Sequence, residues 1–183
     1  RLPIVQTGMG WVSGANLTAA TVAAGGLGIL ASITMTSDEF RAAVLKVKEA
    51  TSNPFGVNLR AGQPDLDERI TWAAGQGVRV FSFAGAPTKD AISRIHDAGA
   101  LVIPTVGARR HAEKMLEWGV DAVIAQGAEG GLAPGGGAPQ GGELGVHRGF
   151  LSRSSGAMRR AYFLWTACLV TPSASAIWTQ FHP

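Results

Sequence analysis

Cysteine is almost absent from this sequence, which has a single one, Cys168, in 183 residues. One thiol excludes an intramolecular disulfide and a zinc site built from several thiolates. The same scarcity is typical of proteins in a reducing compartment, so we expect a cytoplasmic location. The sequence also shows no apolar run long enough to span a bilayer and no secretory signal, so we expect no membrane partner.

Charged residues are scarce as well, at 16% of the chain, whereas 46% of the residues are hydrophobic. This balance is typical of a globular domain with a substantial core. The net charge is +3, and the basic residues are scattered apart from Arg109-Arg110-His111 and Lys114. That group predicts a solvated helix face. Because no aromatic platform is interleaved with it, we expect no nucleic-acid partner.

Six short apolar runs, bounded by glycine and proline, predict strands that are buried on both faces. They lie at 3–6, 26–30, 55–59, 78–83, 101–106 and 122–126. Five stretches with helical patterning separate them, at 15–24, 38–50, 64–74, 89–98 and 108–118. Thr36 and Glu39 have the spacing of a capping box at the start of the second stretch. The alternation predicts a parallel sheet with right-handed crossovers.

Two closures of such a sheet compete, an open doubly wound sheet and a closed barrel. Most doubly wound nucleotide folds carry a Gly-rich phosphate loop, with the spacing G-x-G-x-x-G, after the first strand. The corresponding turn here, 7–14, contains glycines without that spacing. The near-regular repeat favours an incomplete (β/α)8 TIM barrel of about six βα units, because a complete one typically has about 250 residues.

The pattern changes after Gly131. Glycine runs at 135–137 and 141–142 form a low-complexity stretch, and Tyr162–Val170 is the one apolar run beyond them. That run predicts either a strand or a buried helix turn. We therefore divide the chain into a partial barrel at 1–131 and a divergent, irregular tail at 132–183. A shifted reading frame or an artificial junction is one hypothesis for so abrupt a change.

Five segments of residues 1–131, in order, resemble the nitronate monooxygenase family, formerly called 2-nitropropane dioxygenases. They are Pro-Ile-Val-Gln-Thr-Gly-Met-Gly at 3–10, Ala-Gly-Gly-Leu-Gly at 24–28, Pro-Phe-Gly-Val-Asn-Leu at 54–59, Pro-Thr-Val-Gly at 104–107 and Ala-Gln-Gly-Ala-Glu-Gly-Gly at 125–131. Each segment lies at the end of a predicted strand or just after it. The resemblance implies a TIM barrel that binds FMN.

The carboxyl ends of the strands are where TIM barrels place their chemistry. Glycines there allow close backbone approach to a flat flavin ring, and amide side chains offer it donors and acceptors. With the resemblance, these positions predict a flavin site. Its expected members are Met9, Gly10, Asn58, Thr105, Gln126, Gly130 and Gly131. Without the resemblance, Asn58 fits a turn residue, Met9 a core filler and Gln126 the close of a strand.

In the family a histidine directly follows the Gln-Gly-x-Glu-x-Gly-Gly segment, and the resemblance implies that it is the catalytic base or orients the substrate. Leu132 stands there in this chain, so the expected histidine is absent and the catalytic residue is unknown. His96 and His111 fall in predicted helices as surface residues. His147, the nearest substitute, and His182 lie in the tail. Strands seven and eight, which should hold the flavin phosphate, are missing from the pattern.

The resemblance implies an FMN-dependent monooxygenase that oxidises alkyl nitronates with O2 to a carbonyl product and nitrite. Flavin-dependent enoyl reductases, which share the barrel and use a nicotinamide donor, are the alternative enzyme class. A non-catalytic barrel fragment is the other alternative. Six strands would leave two open sheet edges and an uncovered barrel interior, which predict low stability or a homo-oligomer.

Overall fold

The computed structural model describes residues 4–125, 149–154, 157–164 and 167–169, and the side chains of 4–124. In the first range, strands and helices alternate. The strands are β1 (Ile4–Gln6), β2 (Leu27–Ala31), β3 (Gly56–Arg60), β4 (Val80–Ala84), β5 (Leu101–Val106) and β6 (Ala122–Ala125). The helices are α1 (Ala15–Ala23), α2 (Ser37–Ala50), α3 (Leu66–Gly75), α4 (Lys89–Asp97) and α5 (Arg109–Glu117). All eleven predicted elements are present, each within two residues of its predicted bounds.

The six strands are parallel, and each pairs with the next one along the chain. The helices return the chain across the outside of this curled sheet. Side chains from both layers form the main hydrophobic core, as Val44 of α2, Phe81 of β4 and Ile95 of α4 illustrate. The predicted incomplete (β/α)8 barrel is therefore confirmed, and it sets the carboxyl ends of six strands at one mouth.

Three antiparallel strands follow, β7 (Gly149–Ser154), β8 (Ala157–Leu164) and β9 (Ala167–Leu169). β7 pairs with β6, β8 lies between β7 and β9, and β9 pairs with β1. The nine strands form a closed ring. The expectation of two open edges is therefore wrong, because hydrogen bonds from β7 and β9 occupy the free edges of β6 and β1. The apolar run of Tyr162–Val170, where described, lies in strands.

Side chains along each strand face the helices and the barrel interior alternately. In β3, Val57 and Leu59 join the core beneath the helices. Asn58, between them, faces the interior. Ser82 of β4 is paired with Asn58 in the sheet and faces the same way. Two polar side chains, those of Asn58 and Ser82, therefore lie side by side on the inside of the barrel.

α1 is held against β2 at Gly28. A Cβ atom on Gly28 would lie 2.4 Å from the backbone oxygen of Thr18, a distance that real Cβ atoms do not show. Thr18 is fully buried, and its Oγ1 donates to the carbonyl of Gly14 at 3.0 Å. Only glycine allows this close approach. The contact fixes the start of α1, and with it the turn that leads from β1.

α2 begins with the predicted capping box. The Thr36 N–H donates to Glu39 Oε2 at 2.8 Å, and the Glu39 N–H donates to Thr36 Oγ1 at 3.3 Å. The backbone hydrogen bond from Thr36, with a second from its hydroxyl, holds the pKa of Glu39 below its usual value. These bonds satisfy two helix N–H groups that otherwise lack partners.

Loss of this cap is expected to destabilise the protein by about 1 kcal/mol in Thr36→Ala, because one N–H at the start of α2 loses its acceptor. The free energy of unfolding in urea measures it. Thr71→Ala is the matched control, since Thr71 is an exposed residue of α3 and its hydroxyl donates to the carbonyl of Asp67 in the same helix. Alanine is the better helix former there, so the control should be neutral or stabilising. Equal losses in both variants would contradict a capping role.

Candidate active site

The turn from β1 to α1 is organised around the buried side chain of Ser13. Its Oγ donates to the carbonyl of Thr7 at 2.9 Å, and it accepts from the N–H of Met9 at 2.9 Å and from Gln6 Nε2 at 2.8 Å. The carbonyl of Met9 in turn accepts from the N–H groups of Val12 and Ser13. Because these bonds close within one short segment, the backbone around Met9 has one fixed course.

Gly8 brings this turn against β3. A Cβ atom on Gly8 would lie 2.3 Å from Cβ and 2.8 Å from Cγ of Asn58. Carbons do not approach so closely, so the backbone of Gly8 passes over Asn58 with no space for a side chain. The contact sets Met9 and Gly10, the next two residues, at the same mouth as Asn58. Gly10 is exposed, and a Cβ atom there would meet only Thr34, at an ordinary 3.5 Å.

Asn58 is buried, with 4% of its surface exposed, and it is bonded on both sides. Its Nδ2 donates to Oγ of the fully buried Ser82 at 3.1 Å. Its backbone carbonyl accepts from Oγ of Ser32 at 2.7 Å and from the Ser32 N–H at 3.2 Å. Buried polar groups are stable only when paired in this way. β2, β3 and β4 are thus linked at their carboxyl ends by polar groups.

Thr105 lies on the same interior face, two strands away from Asn58. Ser82 is aligned with Ile103 in the sheet, whereas Thr105 is aligned with Ala84 and with Ile124. Residues two apart on a strand share a face, so Thr105 lies one step nearer the mouth than Ser82. Its side chain is half-buried.

Four of the seven predicted flavin-site residues are described, and all four lie at the one mouth. They are Met9, Gly10, Asn58 and Thr105. Gln126, Gly130 and Gly131 lie outside the described residues. Gly8 and Asn58 show that the first and third strands converge at their carboxyl ends. The assignment of these residues to a cofactor stays a prediction.

Gln6 supplies a polar atom that needs a partner. Its Oε1 is buried without a hydrogen bond in the part of the chain that the structure describes. Its Nε2 faces three acceptors, the carbonyls of Thr7 and Ile29 and Oγ of Ser13, so exchanging the amide oxygen and nitrogen would place an acceptor against acceptors. A buried acceptor without a donor is unfavourable. An N–H group of a bound ligand is one group that would satisfy it.

A buried arginine fixes the loop between β2 and α2. Arg69 of α3 is 6% exposed, and it donates to the carbonyls of Ser32 at 3.0 Å and Met35 at 2.7 Å. Its Nε lies 2.6 Å from Oδ2 of Asp65, and its guanidinium lies 5.1 Å from the centre of the Phe40 ring. One side chain thus links α3 to α2 and to the loop that follows β2.

The charge of Arg69 also acts on Asp65. Burial works to raise the pKa of Asp65, but the hydrogen bond from Ser37 and the hydrogen bond and charge of Arg69 outweigh it. The pKa of this carboxyl is therefore lower than its usual value, and the ion pair is present at neutral pH. The role of Arg69 was not predicted from the sequence. The one available signal was the i, i+4 spacing of Asp65 and Arg69 at the start of a helix.

The two described histidines lie away from this mouth. His96 of α4 faces Asp121, with 3.0 Å between Nε2 and Oδ2. Asp121 directly precedes β6, at the amino ends of the strands. His111 of α5 is exposed beside Arg110, and both histidines lie at the surface, as predicted. Within the described ranges no group of His, Cys, Asp and Glu could hold a metal, and no helix is long and apolar enough to cross a membrane.

Comparison with known proteins gives consistent matches. The family model described as nitronate monooxygenase matches residues 1–76 and 66–148. A Mycobacterium tuberculosis protein named (3aS,4S,5R,7aS)-5-hydroxy-7a-methyl-1-oxo-octahydro-1H-indene-4-carboxyl-CoA dehydrogenase is 58% identical over 129 residues, 70% of this chain and 36% of that protein. A nitronate monooxygenase from Pseudomonas aeruginosa is 30% identical over 169 aligned residues, covering 70% of this chain and 48% of its own length.

Among solved structures, FabK from Thermotoga maritima superposes with a TM-score of 0.64 and 35% sequence identity, over 68% of this chain and 40% of that chain. The chain thus spans less than half the length of each of these three proteins. The family match includes the part that contains the parallel strands and the mouth described above.

Proposed function

Because this chain belongs to the nitronate monooxygenase family, we propose that the mouth of its barrel binds FMN and serves a flavin-dependent oxidoreductase. The contact between Gly8 and Asn58 carries the proposal. It places backbone without a side chain beside the buried amide of Asn58 at the carboxyl ends of parallel strands. A flat heteroaromatic ring needs this combination, since backbone can approach its face while polar groups meet its edge.

The residues at the mouth fit an isoalloxazine ring with its imide edge. Gly10 offers exposed backbone without a side chain, and Oε1 of Gln6 is an acceptor with no donor among the described residues. Asn58 and Thr105 add an amide and a hydroxyl on the interior face. When bound, the flavin supplies the electron chemistry. The chain's part is to bind and orient the reactants at this mouth.

For the substrate of the whole protein we propose a fused-ring carboxyl-CoA ester. Support comes from the 58% identity with the indene-carboxyl-CoA dehydrogenase, against 30% for the Pseudomonas aeruginosa nitronate monooxygenase over the same share of this chain. The second candidate is an alkyl nitronate oxidised with O2. It is favoured by the description of the matching family model.

Flavin binding is tested on the purified chain. The expected result is a flavin absorbance spectrum with one equivalent of cofactor, which chromatography after denaturation identifies as FMN. In Asn58→Ala the affinity for FMN is expected to fall about tenfold or more, because Ser82 loses its partner and the ring loses an amide. Asn16→Ala, on the exposed face of α1, is the matched control and should bind FMN as the wild type does.

Circular dichroism melts of both variants separate a lost site from a lost fold. A folded Asn58→Ala protein with wild-type FMN affinity would contradict the assignment of Asn58. A folded wild-type chain that takes up no flavin when FMN is added would contradict the proposed function itself.

The two substrate classes are separated by anaerobic titration of the flavin-loaded protein. A fused-ring dehydrogenase should lose its flavin absorbance on addition of a bicyclic hydroxyacyl-CoA ester, whereas a nitronate oxidase should respond to propyl-2-nitronate. Bleaching by NAD(P)H alone would instead favour the reductase alternative. Bleaching by the nitronate only would reject the CoA-ester proposal and retain the flavin site.

A further inference from the structure

Trp11 has an unusual backbone. Its φ angle is +58°, and it is the one residue other than glycine with positive φ in the described part of the chain. A side chain with a Cβ atom rarely adopts this left-handed region, and a bulky aromatic there is an outlier. Such strain persists only where the surrounding structure enforces it, and it is concentrated at binding and catalytic sites.

The surrounding turn enforces the strain. The carbonyl of Met9 accepts from the N–H groups of Val12 at 3.1 Å and Ser13 at 2.9 Å, and the Gly14 N–H donates to the carbonyl of Val12 at 2.9 Å. Ser13 Oγ anchors the same segment to Thr7 and Met9. These bonds flank Trp11 on both sides. Trp11 is therefore presented by a fixed turn.

The side chain of Trp11 is exposed despite this rigid support. It is 90% exposed, and the neighbouring Val12 is 61% exposed. Single exposed apolar residues are common on protein surfaces. Here two adjacent ones on a strained turn directly follow Gly10, so the turn presents apolar side chains close to the proposed flavin site. An indole presented in this way suits stacking on a flat apolar ligand.

We propose that Trp11 is a specificity-determining residue whose indole, with Val12 beside it, packs against the fused rings of the substrate. The inference rests on the proposed function, and it names the part of the substrate that this turn recognises. Rings of a bicyclic acid cover the indole face, whereas a short acyl chain or a small nitronate leaves most of it in water. The turn thus selects bulky ring substrates over small ones.

The test measures dissociation constants by calorimetry for two probes, trans-decalin-2-carboxyl-CoA and propionyl-CoA. In Trp11→Ala the affinity for the decalin ester is expected to fall about tenfold, and that for propionyl-CoA to change less than about twofold. Trp11→Phe should keep most of the preference because it retains an aromatic face. Trp11→Gly, which relieves the strained φ, should lose the preference while melting no lower than the wild type.

Leu45→Ala is the matched control, since Leu45 is an exposed apolar residue on the outer helix α2. It should leave both affinities unchanged. If the wild type and Trp11→Ala bind the decalin ester with equal affinity, or if neither binds it, the inference is overturned, whether or not flavin is present. If the protein binds no flavin but still prefers the decalin ester, and loses that preference in Trp11→Ala, the result contradicts the flavin function and supports this inference.

Discussion

Gly8→Ala is expected to lower the free energy of unfolding by about 3 kcal/mol, the upper range for an overpacked interior site. The added Cβ would lie 2.3 Å from Cβ of Asn58, so one backbone must move. Neither moves easily, because Asn58 is bonded to Ser82 and Ser32, and Ser13 holds the turn around Gly8. Urea unfolding followed by circular dichroism measures the loss, and flavin affinity should fall with it.

A second glycine and a double mutant make this prediction specific. Gly75, the last residue of α3, has open space where a Cβ atom would lie, so Gly75→Ala should be neutral or stabilise by up to about 1 kcal/mol. In an Asn58→Gly background the clashing carbon is gone, and Gly8→Ala should then cost less than about 1 kcal/mol. Purely additive losses in the double mutant would show that the destabilisation does not arise from this contact.

The alternation of elements was predictable because each rests on local signals. Apolar runs between glycines marked the strands, and the spacing of Thr36 and Glu39 marked the start of α2. The pairing of β9 with β1 was not predictable in this way, since it joins residues from opposite ends of the chain. Nothing in the composition of the tail identifies the strand it would meet. Long-range pairing depends on the completed sheet.

Part of the site was also predictable, and the rest depends on packing. Met9, Gly10 and Asn58 could be proposed because they follow strands whose carboxyl ends must share one mouth. The strain at Trp11 has no signature in the sequence, since it follows from hydrogen bonds that only the folded turn makes. The burial of Arg69 is equally hidden, because an arginine in an acidic first turn is usually an exposed helix residue.

Replacement of Arg69 is the second change expected to have a large effect. Arg69→Met should lower the free energy of unfolding by about 3 kcal/mol, because the partly buried Asp65 carboxylate loses its cationic partner and the carbonyls of Ser32 and Met35 each lose a donor. Arg69→Lys should recover only part of the loss, since one ammonium cannot reach Asp65, Ser32 and Met35 in three directions. Chemical unfolding at neutral pH measures both variants.

Arg41 provides the matched control on the neighbouring helix. It forms an ion pair with Glu68 and lies 5.6 Å from the centre of the Trp72 ring, much as Arg69 lies over Phe40. Its side chain, however, is 41% exposed, so solvent replaces its bonds when it is removed. Arg41→Met should therefore lose less than about 1 kcal/mol. Equal losses in both variants would mean that burial does not determine the contribution of Arg69.

The acid limb of the stability curve gives an independent measure of the pair of Asp65 and Arg69. The pKa of Asp65 in the folded protein lies below its ordinary 3.8, so the unfolded chain binds a proton there more readily than the folded one. The stabilisation is complete above that ordinary value and is lost as the pH falls through the lower folded pKa. Arg69→Met removes the charge and the hydrogen bond of Arg69, and the stability of this variant should fall less between neutral pH and pH 3 than that of the wild type.

Glu39 has a lowered pKa as well but keeps its cap in both proteins, so the difference between the two curves isolates Asp65. Parallel curves would contradict the assigned ion pair.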